Sequence, residues 1–95
     1  VSDMTLHTLN LANPDVLQRL LRFANPQDSL LLTGDGVYLL PQLNANPAAI
    51  VTYYRRPDAD QRGLDTRYSP AIPIDDEAWV KLTLTHQRLL TWKQS

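Results

Sequence analysis

Residues 30–40 read LLLTGDGVYLL, and the fold depends on how Gly34, Asp35 and Gly36 connect the two apolar runs. An Asp-Gly pair between apolar runs is a signal for a β-hairpin. Closely spaced glycines also occur in loops that bind phosphate. A third structure is a buried strand that ends here, with Asp35 capping a short helical turn that begins near Val37. The three structures predict three different kinds of protein.

The residues around this loop favour the strand end. The run before Gly34 does not alternate between polar and apolar residues, and Pro41 follows the loop closely. Neither of the spacings typical of a phosphate loop, G-x-G-x-x-G and G-x-x-x-x-G-K-[ST], is present. We therefore predict a buried strand that ends at Asp35 and Gly36. A hairpin and an anion-binding site remain alternatives.

Strand-like and helix-like segments alternate along the rest of the chain. Asn13, Pro14 and Asp15 form a helix start, since a capping side chain, an early proline and an acid all stabilise an N-terminus. The predicted strands cover residues 4–10, 28–34, 48–54, 71–74 and 89–92, the fourth at a sheet edge because it contains Pro73. The predicted helices cover the stretch from residue 14 to the Asn25-Pro26 stop, then residues 56–64 with Gly63 ending the helix, and residues 75–86.

This alternation predicts an α/β domain with a mostly parallel sheet. The second and third strands are unbroken apolar runs, which are typical of strands covered on both faces. Right-handed crossovers then place helices on both faces of the sheet. The loops after Asn10, after the strand that ends at Gly34, and after Tyr54 should meet at the carboxyl edge, where such sheets bind ligands.

Composition excludes several classes of protein. With 95 residues, 43% of them hydrophobic, the chain predicts one globular domain. We expect residues 1–3 to be an extension and residues 4–95 to be the domain. No apolar run is long enough to span a membrane, and no secretory signal is visible. The absence of cysteine excludes a disulfide scaffold and a thiolate site, and it favours a cytoplasmic protein.

Charge gives little sign of a nucleic-acid partner, because the net charge is only −1. Arginines nevertheless cluster in the middle of the chain and are interleaved with aspartates. This cluster fits either a solvated surface or a docking patch. Its members are Arg55, Arg56, Arg62 and Arg67, with Asp58, Asp60 and Asp65.

His7 is the main candidate for a catalytic base. A histidine inside a strand usually serves the core or a subunit contact, but Asp35 would orient His7 as a base if the first two strands are neighbours. No serine, threonine or cysteine completes a nucleophile arrangement with them, since Ser29 lies at the other end of its strand. A small enzyme that uses His7 and Asp35 therefore remains an alternative.

The second histidine and the two tryptophans have structural explanations as well. His86 falls in the last turn of its helix, where the dipole favours a positive charge. Trp79 and Trp92 fit either a core or an interface. Two distant histidines without cysteine make no metal-ligand spacing, so we predict neither a metal nor a cofactor.

Four segments occur in a recognisable order: MTLHTLN at residues 4–10, LLLTGDGVY at 30–38, DADQRGL at 58–64, and IDDEAWVKLTLTHQRLLTW at 74–92. Together they resemble the DsrH/TusB family, the small subunits of sulfur-relay complexes. The resemblance covers almost the whole chain. The family-motif positions, and candidates for partner contacts, are His7, Asp35, Gly36, Arg62, Gly63, Trp79, Val80, His86 and Trp92.

The resemblance implies a small flavodoxin-like, three-layer DsrEFH-like domain with a five-stranded sheet. It also implies TusC-like and TusD-like homologous partners in a heterohexamer of two heterotrimers. Such a complex passes persulfide sulfur towards 2-thiouridine at the tRNA wobble position, so tRNA would be an indirect partner. In the related Dsr system, homologous subunits serve sulfur oxidation.

One departure from the family pattern bears on mechanism. Some DsrH-type members carry a cysteine after the first strand, whereas residues 11–21 of this chain, LANPDVLQRLL, contain none. A persulfide relay needs a thiolate that attacks and leaves. We therefore expect a non-catalytic subunit. Because so small a domain buries only about 60–65% of its unfolded surface, we also expect the isolated chain to self-associate or to be poorly soluble.

Overall fold

The computed structural model describes residues 4–45, 49–66 and 69–92. The strands are β1 (Thr5–Leu9), β2 (Ser29–Leu32), β3 (Val51–Arg55), β4 (Ile72–Ile74) and β5 (Arg88–Trp92). The helices are α1 (Pro14–Phe23), α2 (Leu40–Ala45), α3 (Arg56–Gln61) and α4 (Asp76–Thr85), and a 3-10 helix over Gly34–Leu39 precedes α2. The extension predicted at residues 1–3, and Arg67, lie outside the described residues.

The strands form one sheet in the order β4-β3-β2-β1-β5, and each neighbouring pair is parallel. This confirms the predicted small α/β domain, with β4 at an edge as Pro73 indicated. The first four strands are neighbours in chain order, whereas β5 returns to the far side of β1. The resulting order differs from the 2-1-3-4-5 order of flavodoxin itself. There the third strand returns to the other side of β1, whereas here only the fifth strand does.

Right-handed crossovers explain why the two faces of the sheet carry different numbers of helices. The steps from β1 to β2, β3 and β4 run in one direction, so α1, the 3-10 helix, α2 and α3 lie on one face, called here the first face. The step from β4 to β5 runs in the opposite direction. It places α4 on the other side, the second face.

The first face holds the larger hydrophobic core. The side chain of Asn13 caps α1 by accepting from the Asp15 N–H at 3.0 Å, as the sequence predicted. The helix buries one stripe of apolar side chains against the sheet. The core joins Val16, Leu17 and Leu20 of α1 to Leu9, Leu30, Leu32 and Tyr54 of the strands and to Val37, Leu39, Leu40, Leu43 and Ala59 of the other helices.

The second face is covered less completely. Its core contains Leu6, Leu31 and Ile74, against which α4 packs Ala78, Trp79 and Leu82. No residue of α4 is fully buried. The strand alternation also directs Val51, Ile72 and Leu89 to this face, where all three are exposed.

The third strand corrects one prediction from the sequence. It was expected to be covered on both faces, but Val51 is 50% exposed because α4 does not reach it. The described strand also begins at Val51, and its predicted start at residue 48 lies outside the described residues.

Candidate functional site at the carboxyl edge

The loop at Gly34–Gly36 ends β2 and begins the 3-10 helix beside β1. Gly34 has a φ of +51°, in the left-handed region that favours glycine. Gly36 is required for a different reason: a Cβ there would lie 2.1 Å from the carbonyl oxygen of Leu9. The prediction of a buried strand that stops before a helical turn is confirmed, although β2 ends at Leu32 and not at Asp35 and Gly36. The hairpin is wrong because β2 pairs in parallel with β1 and β3.

The amide groups of both glycines in this loop already have partners. The Gly34 N–H donates to Oδ2 of Asp58 at 2.8 Å, and the Gly36 N–H donates to the Thr33 carbonyl at 2.9 Å. An anion would therefore have to displace a carboxylate that occupies the same donor. The Gly34 amide thus binds the carboxylate of Asp58, whereas the amides of a phosphate loop bind a phosphate group.

Arg62 joins this loop to the end of α3. Its Nη2 and Nε donate to Oδ1 of Asp35 at 2.9 and 3.2 Å, and its Nη1 donates to the Asp58 carbonyl at 3.1 Å. The prediction that Asp35 caps a turn near Val37 is wrong. The 3-10 helix begins at Gly34, and no side chain caps it, because the Asp35 carboxylate turns towards the guanidinium instead.

Arg55 at the end of β3 joins α3 to α4. Its guanidinium donates to Oδ1 of Asp58 at 2.9 Å and to Oδ1 of Asp76 at 3.0 Å, and it lies 5.4 Å from the centre of the Trp79 ring. The hydrogen bond with Asp76 is the largest influence that raises the pKa of Arg55. Asp58 thus bridges two elements, because one oxygen holds the Gly34 amide and the other holds Arg55.

Paired charges at the carboxyl edge therefore connect the Gly34–Gly36 loop to α3, and they connect the end of β3 to α3 and α4. Among residues 4–45, 49–66 and 69–92, no group of histidine, aspartate or glutamate side chains could hold a metal ion. Besides its exposed carboxylates, the edge presents to solvent the half-exposed ring of Tyr38, 5.8 Å from the Arg62 guanidinium. Tyrosine and arginine are among the residue types that are enriched at the energetic centres of protein interfaces.

His7 lies away from this edge, buried on the first face. Its Nδ1 accepts from the Trp92 indole N–H at 2.9 Å, so its Nε2 carries the proton and donates to Oδ2 of Asp28 at 2.8 Å. The hypothesis that Asp35 orients His7 is wrong, since Asp28 takes that place and Asp35 pairs with Arg62. Both ring nitrogens of His7 are occupied, which leaves no free nitrogen to act as a base.

Asp28 is a buried acid with several donors. Burial by itself would raise its pKa, but hydrogen bonds from the His7 ring and from the backbone N–H groups of Asn25 and Thr5 hold the pKa below its ordinary value. The carboxylate connects β1, the end of α1 and the start of β2. Sequence reasoning missed Asp28, although an acid directly before a buried apolar run is the kind of residue that needs buried partners.

His86 occupies the corresponding position on the second face. Its Nδ1 donates to the Leu82 carbonyl at 2.8 Å, so its Nε2 accepts from the Ser29 hydroxyl at 3.0 Å. These bonds tie the end of α4 to the start of β2. His86 is buried, and it lies at the C-cap of α4, one residue beyond the last helical turn in which the sequence placed it.

The remaining family-motif residues are distributed over the surface. Trp79 and Trp92 are both half-buried, packing on the second and the first face respectively. Val80 is 60% exposed on α4. A Cβ at Gly63 would meet no other atom, so space does not require glycine there. Its φ of +67° is the left-handed conformation in which glycine ends helices such as α3. The structure therefore does not bring the motif residues together at one site.

Comparison with known proteins supplies the family. The model for the family described as DsrH like protein matches residues 12–89. The chain belongs to the DsrH-like family. The solution NMR structure of protein Tm0979 from Thermotoga maritima is similar to the DsrH-like chain, with a TM-score of 0.66 over 85% of this chain and 92% of that one. At 20% identity this likeness shows the fold. A search of curated proteins finds no match.

Membership of the DsrH-like family confirms the resemblance drawn from the sequence. Members of the family act in multi-subunit sulfur-relay complexes, so membership implies a sulfur-relay subunit. Across the described part of this DsrH-like chain, the helices are all too short or too polar to cross a lipid bilayer.

Proposed function

We propose that this chain is a non-catalytic subunit of a cytoplasmic, TusBCD-like complex that passes persulfide sulfur towards 2-thiouridine at the tRNA wobble position. Its partners would be TusC-like and TusD-like subunits, with a heterohexamer as the expected assembly. The observation that carries the proposal is membership of the DsrH-like family combined with the absence of cysteine from all 95 residues.

The chemistry of sulfur transfer supports an accessory role. Persulfide transfer proceeds by attack of a thiolate on a sulfur atom, with a second thiolate as leaving group. This chain supplies no thiol, and its two histidines have both ring nitrogens in hydrogen bonds within the fold. A partner subunit would therefore carry the reactive cysteine, and this chain would complete the assembly around it.

The carboxyl edge supports a role in docking. Arg55, Asp58 and Arg62 hold the loops of this edge by hydrogen bonds within the chain, and these bonds fix the surface beside the half-exposed Tyr38. Rigid aromatic and arginine side chains lose little conformational freedom when a partner binds. A partner subunit or a sulfur carrier would find this surface already formed.

Deletion of the gene in its host tests the proposal. We expect the content of 2-thiouridine in bulk tRNA, measured by mass spectrometry, to fall and to return on complementation. The tagged chain should co-purify two small α/β partners, one with cysteine. An Arg62→Gln variant should capture less partner than an Arg19→Gln variant, which changes the same charge on the exposed side of α1. Normal tRNA thiolation after deletion would reject the proposal.

The alternative within the family is a subunit of a DsrEFH-type sulfur-oxidation complex. The absence of cysteine favours the tRNA branch, since some DsrH-type members carry a cysteine after the first strand and this chain does not. The same deletion strain separates the two branches. Loss of sulfur oxidation with unchanged 2-thiouridine would identify the Dsr branch.

A further inference from the structure

A chain of side-chain hydrogen bonds crosses the first face from the start of β2 to the end of β5. Oδ2 of Asp28 accepts from Nε2 of His7 at 2.8 Å, and Nδ1 of His7 accepts from the Trp92 indole N–H at 2.9 Å. These three side chains are called here the Trp92 latch, because they hold the last residue of β5 against β1. Asp28 and His7 are buried, whereas Trp92 is partly exposed.

The latch requires the neutral form of His7. An indole N–H can only donate a hydrogen bond, so the ring nitrogen that faces it must carry no proton. A proton on Nδ1 would set two donors against each other at a ring that is shielded from water. Protonation of His7 therefore breaks its hydrogen bond with Trp92.

Asp28 acts on the same proton in the opposite direction. Its pKa is held below the ordinary value, so the buried carboxylate is negatively charged at neutral pH. A proton on His7 would convert the two side chains into an ion pair without net charge, and a nearby opposite charge favours the charged form of a histidine. Asp28 thus favours protonation of His7, and Trp92 opposes it.

The other charged side chains on the elements around His7 are all exposed. They are Asp15, Arg19 and Arg22 on α1 and Arg88 on β5. Water and salt screen exposed charges, so these side chains affect the buried ring less than Asp28 does. From α1, only the uncharged ring of Phe23 packs edge-on against both His7 and Trp92, at centroid distances of 6.2 and 5.7 Å.

We propose that the Trp92 latch is a pH-sensitive switch that opens when His7 takes up a proton from solvent. In the open form Nδ1 of His7 carries the proton, Nε2 keeps its hydrogen bond with Asp28, and the Trp92 indole is released. The end of β5 then loses its side-chain hydrogen bond to β1, and the change reverses when the proton leaves. The inference concerns this chain alone and does not depend on the sulfur-relay proposal.

His86 provides an internal control on the second face. Its Nε2 accepts from the Ser29 hydroxyl at 3.0 Å. Unlike an indole N–H, a hydroxyl can rotate and accept a hydrogen bond from a protonated ring nitrogen. Protonation of His86 therefore leaves the contact with Ser29 in place.

Nitrogen-15 NMR of the wild-type chain tests the switch between about pH 8 and pH 5, the range in which histidine changes charge. We expect Nδ1 of His7 to gain a proton while the Trp92 indole N–H loses its hydrogen-bonded chemical shift. Because the open form binds one proton more, the ratio of open to closed chains should rise by up to about tenfold per pH unit. The Trp79 indole should keep its shift. In a folded His7→Gln variant, the Trp92 shift should no longer depend on pH.

A pair of variants keeps the test independent of whether His7→Gln folds. At about pH 8, Trp92→Phe should lower the folding equilibrium constant about tenfold, since it leaves Nδ1 of His7 without a donor. At about pH 5 the loss should be at least about threefold smaller, because the protonated ring no longer accepts from Trp92. The loss caused by Ser29→Ala should not shrink, since protonated His86 still needs the hydroxyl. Urea unfolding followed by circular dichroism measures all four values.

Three results would overturn the inference. In the first, Nδ1 of His7 stays unprotonated until the whole chain unfolds. In the second, the Trp92 indole keeps its hydrogen-bonded shift after Nδ1 is protonated. In the third, Trp92→Phe lowers the folding equilibrium constant by the same factor at both pH values.

Discussion

Both faces of the sheet pack leucine side chains of a helix against the strands, but the first face buries them more completely. On the first face, α1 buries Leu17 completely, and the 3-10 helix, α2 and α3 complete the layer. On the second face, α4 packs Leu82 against the sheet but leaves it only partly buried. The difference follows from strand order, because three crossovers run one way and one runs back. We expect the first face to hold most of the stability and the second to be available for contacts.

The largest expected effect comes from matched leucine truncations on the two faces. Leu17→Ala should lower the free energy of unfolding by about 3 kcal/mol or more, because it leaves a cavity in a closed core. Leu82→Ala should cost about 1 kcal/mol, since water already reaches part of its side chain. Urea unfolding measures both values. Equal losses would show that the second face is closed in solution, for example by a second copy.

Gly36 in the loop at the carboxyl edge and Gly63 after α3 sharpen the comparison between close packing and open surface. Gly36→Ala should destabilise the chain by about 2–3 kcal/mol, because its Cβ would meet the backbone of β1 and that backbone must move. Gly63→Ala should cost about 1 kcal/mol, from its left-handed conformation alone. Thermal unfolding would rank them. A neutral Gly36→Ala would mean that β1 and the loop lie further apart than described.

Each face also has one buried histidine with a ring nitrogen that accepts a hydrogen bond from a side chain of another element. Trp92→Phe removes the indole N–H that Nδ1 of His7 accepts, and Ser29→Ala removes the hydroxyl that Nε2 of His86 accepts. Each variant should lose about 1–2 kcal/mol, the cost of leaving a buried acceptor unpaired. Chemical unfolding with a fluorescent Trp79 as the probe suits both. A much smaller loss for Ser29→Ala would indicate that water reaches His86.

The smallest expected effect concerns the pH dependence of unfolding, to which Asp28 on the first face contributes. The pKa of Asp28 is lowered in the folded chain from its ordinary value of 3.8. Its carboxylate therefore stabilises the fold at pH values above 3.8. This stabilisation is lost as the pH falls below 3.8 and through the lowered pKa of the folded chain. Asp28→Asn should reduce the acid dependence of unfolding, whereas Asp60→Asn, at an exposed site on α3, should keep it. Identical acid profiles for wild type and Asp28→Asn would contradict the prediction.

Local structure could be predicted where neighbouring residues determine it. The start of α1 at Asn13-Pro14, the end of α3 at Gly63 and the end of β2 at the Gly-Asp-Gly loop all rest on backbone preferences of a few adjacent residues. The unbroken leucine run of β2 predicted a strand buried on both faces, and all four of its residues are buried.

Partners of charged and polar side chains could not be predicted in the same way. Asp35 pairs with a residue 27 positions away, and His7 contacts residues 21 and 85 positions away. No local pattern encodes such distances, so the proposed pairing of His7 with Asp35 was wrong. Both residues lie near the first two strands, but at different heights along the sheet.

The sequence by itself determined the α/β class, the family resemblance and the absence of a thiol, because these depend on residue types and their local order. Only the tertiary structure decided that β5 lies beside β1 and that α4 is therefore the one helix of the described residues on the second face. The physical reason is that crossover handedness fixes a helix's face only once the order of the strands is known. That order arises from long-range packing, which also determines which apolar residues remain exposed for a partner.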